Sequence, residues 1–161
     1  MILVLLGTFQ IEFPRPLIVI EQLIKDGKLN EQVIVQNGFT NYNPSTSLLE
    51  LRPFMSPDEL DKLYQEAKLI VTHAGTGSIV KGVKMGKKVV TIPRLKKYNE
   101  HIDDHQLEIH SEFARLKYTY PWNEGDSLEK ILLDIDNFVP AKYVSHKEDL
   151  INYLKGYIDS L

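Results

Sequence analysis

The chain has 161 residues, 43% of them apolar and 25% charged, with a formal net charge of −3 and no cysteine. That length suits one domain able to bury about two-thirds of its unfolded surface, and the composition excludes a disordered or fibrous class. The acidic sum argues against nucleic acid as a partner; the lack of cysteine removes disulfides, thiolate metal sites and cysteine nucleophiles, in keeping with a reducing cytosol.

The opening run Met1-Ile2-Leu3-Val4-Leu5-Leu6 is apolar but stops at Gly7 with no basic flank, too short for a signal peptide or a membrane span. It reads as a first strand, residues 2–6. Leu17, Ile20, Leu23 and Ile24 recur at helical spacing and predict an amphipathic helix over 16–25. Strands are expected at 32–36 and 47–52, then a helix over 57–67 with apolar residues at 60, 63, 64 and 67. Its start is signalled by a capping Ser56, Pro57 at the first helical position and the acidic pair Asp58 and Glu59. Strands at 69–72 and 89–92 flank a helix over 78–85; a helix over 103–116, a short strand at 118–120 and a short helix at 127–134 follow. Residues 145–161 predict a closing helix with apolar positions 150, 151, 154, 158 and 161, a stripe that ordinarily faces its own domain. This alternation predicts an α/β fold, βαβ units on a mostly parallel, Rossmann-like sheet flanked by helices.

In such sheets ligands collect where the strands end at their carboxyl side. Three chemistry-bearing segments lie there. The first strand runs into Gly7 and Thr8, a tight turn whose hydroxyl can bond a phosphate. The fourth runs into His73-Ala74-Gly75-Thr76-Gly77-Ser78 and then a helix. Its glycines, hydroxyls and unpaired N–H groups make an anion site, yet it lacks both the Walker ending and the full dinucleotide fingerprint. The fifth strand is followed by Arg94 and the polar run Glu100-His101-Ile102-Asp103-Asp104-His105-Gln106. On a helix, Glu100 with Asp104 and His101 with His105 would lie four apart on one face. Two histidines so spaced can hold a metal, although the His-Glu-x-x-His order is missing; a sugar-binding shelf is the preferred reading, and no metal or other cofactor is expected.

Taken in order, Gly7-Thr8 with Phe13-Pro14-Arg15, then Thr72 to Ser78, then Pro93-Arg94 with Glu100 to Gln106 resemble the small catalytic subunits of two-component bacterial exopolysaccharide and capsule glycosyltransferases. Those are similar to the catalytic subunit of the eukaryotic dolichol-linked N-acetylglucosaminyltransferase and to the C-terminal half of the bacterial peptidoglycan lipid glycosyltransferase. The resemblance reaches to about Leu116. It implies a single C-terminal-type GT-B half-domain over 1–161 that binds a UDP-sugar without a metal and transfers a hexose with inversion. The donor would be held by Gly7, Thr8, His73, Gly75, Thr76, Gly77, Ser78, Arg94, Glu100, His101, Asp104, His105 and Gln106, with His73 or Arg94 as cationic or hydrogen-bonding help. It further implies a lipid-linked sugar acceptor and a membrane-anchored partner subunit that supplies the acceptor site and the general base, so that this cytoplasmic chain works at the inner face of the membrane. In relatives an acid after the glycine loop binds ribose; here that position is Lys81. Glu100 or Asp103 would then replace it, or Lys81 would turn toward phosphate, or donor binding would be weakened. A non-catalytic nucleotide-sugar-binding or assembly subunit, and a UDP-sugar epimerase or hydrolase, are the alternatives.

Overall fold

The computed structural model describes residues 1–145 and 147–159. In chain order the elements are β1 (Ile2–Leu5), α1 (Arg15–Lys25), β2 (Val33–Gln36), β3 (Leu49–Arg52), α2 (Pro57–Glu66), β4 (Leu69–His73), α3 (Thr76–Lys84), β5 (Lys88–Ile92), α4 (His105–Arg115), β6 (Tyr120–Pro121), α5 (Leu128–Asp134) and α6 (Lys147–Asp159). The strands form one sheet in the order β3-β2-β1-β4-β5-β6, and every adjacent pair is parallel. This is the Rossmann-like α/β sheet that the alternating pattern predicts.

β1 and β2 are buried along their whole length because helices cover both faces. Alternation divides their side chains between two cores. Ile2, Val4, Val33 and Val35 pack with Leu17 and Ile20 of α1 and with Leu128 and Ile131 of α5. Leu3, Leu5 and Ile34 pack with Leu63 and Tyr64 of α2 and Ile79 and Val83 of α3, with Ile109 and Phe113 of α4 at the margin. α2 begins as its sequence predicts: Ser56 Oγ accepts the Glu59 N–H at 3.2 Å and Pro57 opens the helix.

Two boundaries differ in ways that matter for the site. α3 starts at Thr76, two residues before the expected Ser78, so the glycine loop is itself the first helical turn. α4 starts at His105, not 103. The preceding segment makes a 3-10 turn over Lys96–Tyr98 and is then broken by Asn99, whose φ of 55° is left-handed. α6 also departs from expectation, since Ile151, Leu154 and Ile158 are 37%, 47% and 65% exposed. Helices α1 to α5 already cover both faces of the sheet; of the expected stripe, Leu161 and the side chain of Leu150 lie outside the described residues. No helix among the described residues is long and apolar enough to cross a membrane.

Candidate functional site

β1 lies between β2 and β4, so the chain leaves it toward one side and returns to the other. The loops after β1 and β4 therefore flank the crevice where open parallel sheets take ligands. One wall carries Gly7 and exposed Thr8; the other carries His73 to Ser78, with Thr76 and Gly77 exposed. Gly75 is the cap residue of α3, and no side chain accepts a hydrogen bond from its first turn. α2 and α5 differ, because Ser56 and Ser127 cap them. At α3 the first N–H groups and the positive end of the helix dipole meet no protein oxygen acting as a cap, a geometry suited to an anion.

The His73 ring sits between these walls. A β-carbon on Gly7 would lie 2.8 Å from its Nε2, and one on Gly75 closer still, so neither position tolerates a side chain without displacing the imidazole. Gly7 also has φ +83°, a left-handed conformation that favours glycine. His73 Nδ1 is 3.2 Å from the Leu5 carbonyl, which can only accept, so Nδ1 carries the proton and Nε2 is an acceptor. Burial pushes the His73 pKa down to about 4, and the charges of Arg94 and His101 push the same way. At neutral pH the ring is uncharged, so of the cationic or hydrogen-bonding help expected of His73 the second is what its Nε2 can supply.

Arg94 and Glu100, expected to face the donor, are buried and committed to the protein, and Gln106 is buried with its Oε1 engaged. Arg94 is 1% exposed. It donates from Nη1 to the carbonyls of Ile11 at 2.6 Å and Glu100 at 3.0 Å, and from Nη2 to that of Leu6 at 2.9 Å. The Phe9 and Phe13 rings lie 5.9 and 5.0 Å from its guanidinium carbon, and Nε has no partner. Burial lowers its pKa to about 10, so it stays charged and acts on the crevice through space. The Glu100 carboxylate accepts from Arg15 Nε at 2.9 Å, Arg15 Nη2 at 2.8 Å and the Leu95 N–H at 3.0 Å. Gln106 Oε1 accepts the Arg94 N–H at 3.0 Å. Glu100 is thus occupied and does not replace a ribose-binding acid.

His101 and His105 do meet, with ring centres 4.7 Å apart, although not as two steps of one helix. The turn at Asn99 and the late start of α4 bring them together through a loop, which also separates buried Glu100 from exposed Asp104. His101 is stacked on Phe9 at 4.5 Å. Asp103 lies between the imidazoles, with Oδ1 3.0 Å from His101 Nδ1 and in contact with His105 Nδ1. Donor atoms of His101, Asp103 and His105 all fall within 4.8 Å of one another, the arrangement among the described residues able to hold a metal. Asp104 Oδ1 accepts the Lys96 N–H at 2.9 Å. Beside Asp104 lies a cavity of about 370 Å³, lined in part by Leu95, Lys97, His110 and Asn123 and large enough for a sugar ring.

Lys81 turns away from the crevice. Its ammonium pairs with Asp61 of α2 and lies 4.7 Å from the centre of the Tyr64 ring. The Tyr64 hydroxyl in turn donates to the Ser78 carbonyl at 3.1 Å. Two neighbours of the crevice escape the sequence reading. Phe9 looks like a loop residue until its ring meets His101. Asn37, at the end of β2, donates from Nδ2 to the Thr40 carbonyl at 2.8 Å and leaves Oδ1 buried without a partner. An Asn-Gly pair directly after a strand is the signal that would have found it.

Comparison with known proteins gives a family. The glycosyltransferase family 28 C-terminal domain matches residues 1–156. The chain is 30% identical over 104 residues to UDP-N-acetylglucosamine transferase subunit ALG13 of Candida albicans, covering 65% of this chain and 34% of that one. It thus spans about a third of that relative's length. Among solved structures, the solution structure of ALG13 superposes with a TM-score of 0.55 at 19% identity, covering 95% of this chain and 94% of that chain. MurG of Acinetobacter baumannii superposes with a TM-score of 0.55 at 17% identity, covering 83% of this chain and 40% of that chain. At such identities the two structures speak for the fold alone, a Rossmann-like half of the GT-B kind.

Proposed function

Because the chain belongs to the glycosyltransferase family 28 C-terminal domain family, we propose that it binds a UDP-sugar at the start of α3 and is the donor-binding, catalytic half of an inverting hexosyltransferase. The observation that carries this reading is the glycine-capped N-terminus of α3, open at the switch point between β1 and β4. In the proposed reaction the acceptor hydroxyl attacks the anomeric carbon opposite the diphosphate. The bond from that carbon to the phosphate oxygen breaks, and UDP leaves with the electron pair. The N–H groups of Thr76, Gly77 and Ser78 stabilise the charge that grows on the leaving group without reorganising. The helix dipole adds roughly 0.3–1 kcal/mol per charge, and up to about 2 when partly buried. Arg94 supplies a fixed positive background, and Gly7 lets the β1 loop approach closely. Transfer on this plan needs no metal ion.

The acceptor proton must go to a base. We assign that base to a separate, membrane-anchored partner that also supplies the acceptor site, since a GT-B enzyme closes its site between two halves. The acceptor is a lipid-linked sugar, the donor carries galactose, glucose or N-acetylglucosamine, and the setting is exopolysaccharide or capsule synthesis at the cytoplasmic face of the membrane. Titration calorimetry with UDP tests the donor site: binding at the micromolar level is expected, and no heat from the chain or its complex would remove the claim. UDP release by the reconstituted pair with acceptor present tests the catalysis.

One observation favours a second reading, a nucleotide-sugar-binding or assembly subunit without chemistry. Lys81 is an ammonium, which only donates, and is held by Asp61, while the Glu100 carboxylate is occupied by Arg15, so neither accepts the ribose hydroxyl protons. UDP binding without UDP release in the complex would support it.

A further inference from the structure

We propose that His101, Asp103 and His105 form a site for a divalent transition-metal cation of the Zn²⁺ and Ni²⁺ class, one that takes no part in the transfer proposed above. The three side chains each offer a donor atom, all within 4.8 Å of one another. Bonds of about 2.0–2.1 Å in a tetrahedral shell place donors roughly 3.4 Å apart, so shifts of about an ångström bring the set to that spacing. The shift is available where it is needed. Asp103 and His105 have side chains 53% and 49% exposed, free to adjust, whereas His101 is buried and fixed by its stack on Phe9. One ligand is thus held by packing and two lie at the surface.

The donor set selects the ion. Two imidazoles and one carboxylate suit zinc, nickel or cobalt, while magnesium and calcium prefer oxygen ligands and keep their water. Asp103 already sits between the two rings, with Oδ1 3.0 Å from His101 Nδ1 and in contact with His105 Nδ1. Three protein ligands leave at least one position open to water or another ligand. Among the described residues the other histidines, His73 and His110, are engaged elsewhere, His73 with the Leu5 carbonyl and His110 with Thr91 and Asn123.

The test is titration of Zn²⁺ into the tag-free full chain by calorimetry, without nucleotide, so its outcome is separate from that of the donor reading. One equivalent is expected to bind, with affinity at least ~10-fold weaker in Asp103→Ala and His105→Ala, both changes at exposed side chains. Imidazole nitrogen shifts of His101 and His105 on adding Zn²⁺ to the wild-type chain give a readout that needs no variant. Co²⁺ should show visible absorption bands that Zn²⁺ abolishes and millimolar Mg²⁺ does not. The proposal is overturned if the wild-type chain shows no saturable Zn²⁺ binding, if both variants bind as the wild type does, or if Mg²⁺ displaces the ion.

Discussion

Arg15 holds both carboxylate oxygens of Glu100, at 2.9 Å from Nε and 2.8 Å from Nη2, across 85 residues of sequence. The Glu100 side chain is 4% exposed and that of Arg15 25%. Removing one member of such a buried pair leaves the other uncompensated. Glu100→Ala is expected to lower the unfolding free energy by about 3 kcal/mol, measured in urea. A loss below about 1 kcal/mol would put the pair in the class of surface bridges.

Gly75 has no room for a methyl group, because a β-carbon there falls within the His73 ring. Gly75→Ala should weaken UDP binding at least ~10-fold in calorimetry while the far-ultraviolet spectrum stays native, since one displaced loop donor costs about 1.5 kcal/mol or more. Adding His73→Ala to that variant should recover part of the affinity. No recovery would mean that the clash is not with the ring.

Two groups make stability depend on pH in separate windows. The hydrogen bond from Tyr42, then the N–H and hydroxyl of Ser45, hold the Glu21 pKa down to about 2 from 4.5. Its contribution is present above pH 4.5 and is lost as pH falls toward 2. Burial holds His73 down to about 4 from 6.5. The unfolded chain then binds the extra proton between those values, so stability rises with pH from 4 to 6.5, by on the order of 3 kcal/mol. Chemical denaturation from pH 3 to 8 should show both slopes; His73→Gln should flatten the upper one, and a slope that survives it would belong to another group.

The pair of Asp61 with Lys81 can be dissolved. Asp61→Asn with Lys81→Glu removes the bridge between α2 and α3 and puts a carboxylate on α3 with no lysine opposite it at position 61. If ribose lies against that position, UDP should bind several-fold more tightly, with a melting temperature within a few degrees of the wild type. Unchanged affinity would place the ribose elsewhere.

The sheet was legible because each strand is a short apolar run ended by polar or glycine residues, and because Ser56-Pro57 marks a helix start by local chemistry. The glycine loop was legible for the same local reason. The polar run after β5 was less so. Arg94, Glu100 and Gln106 have the composition of a ligand shelf, yet their partners are Leu6, Ile11 and Arg15, far away in sequence, and the Arg94 N–H. Spacing cannot show a pair that only the folded sheet brings together. The meeting of His101 and His105 was read from helical periodicity, but a left-handed Asn99 and a loop produce it. α6 shows the converse: its apolar stripe is plain in the sequence, and nothing in that pattern tells whether a surface remains for it to cover.

The place of His73 has a kinetic and entropic consequence. Since one ring fills the space beside both Gly7 and Gly75 and its Nδ1 is tied to the Leu5 carbonyl, the loops after β1 and β4 cannot collapse onto each other unless that ring is unseated. They form one jaw whose opening is set during folding. Donor association with this half should therefore carry little loss of backbone freedom, with free and bound loops alike in amide exchange. Opening and closing, where the reaction cycle requires them, would then fall to whatever body faces the jaw.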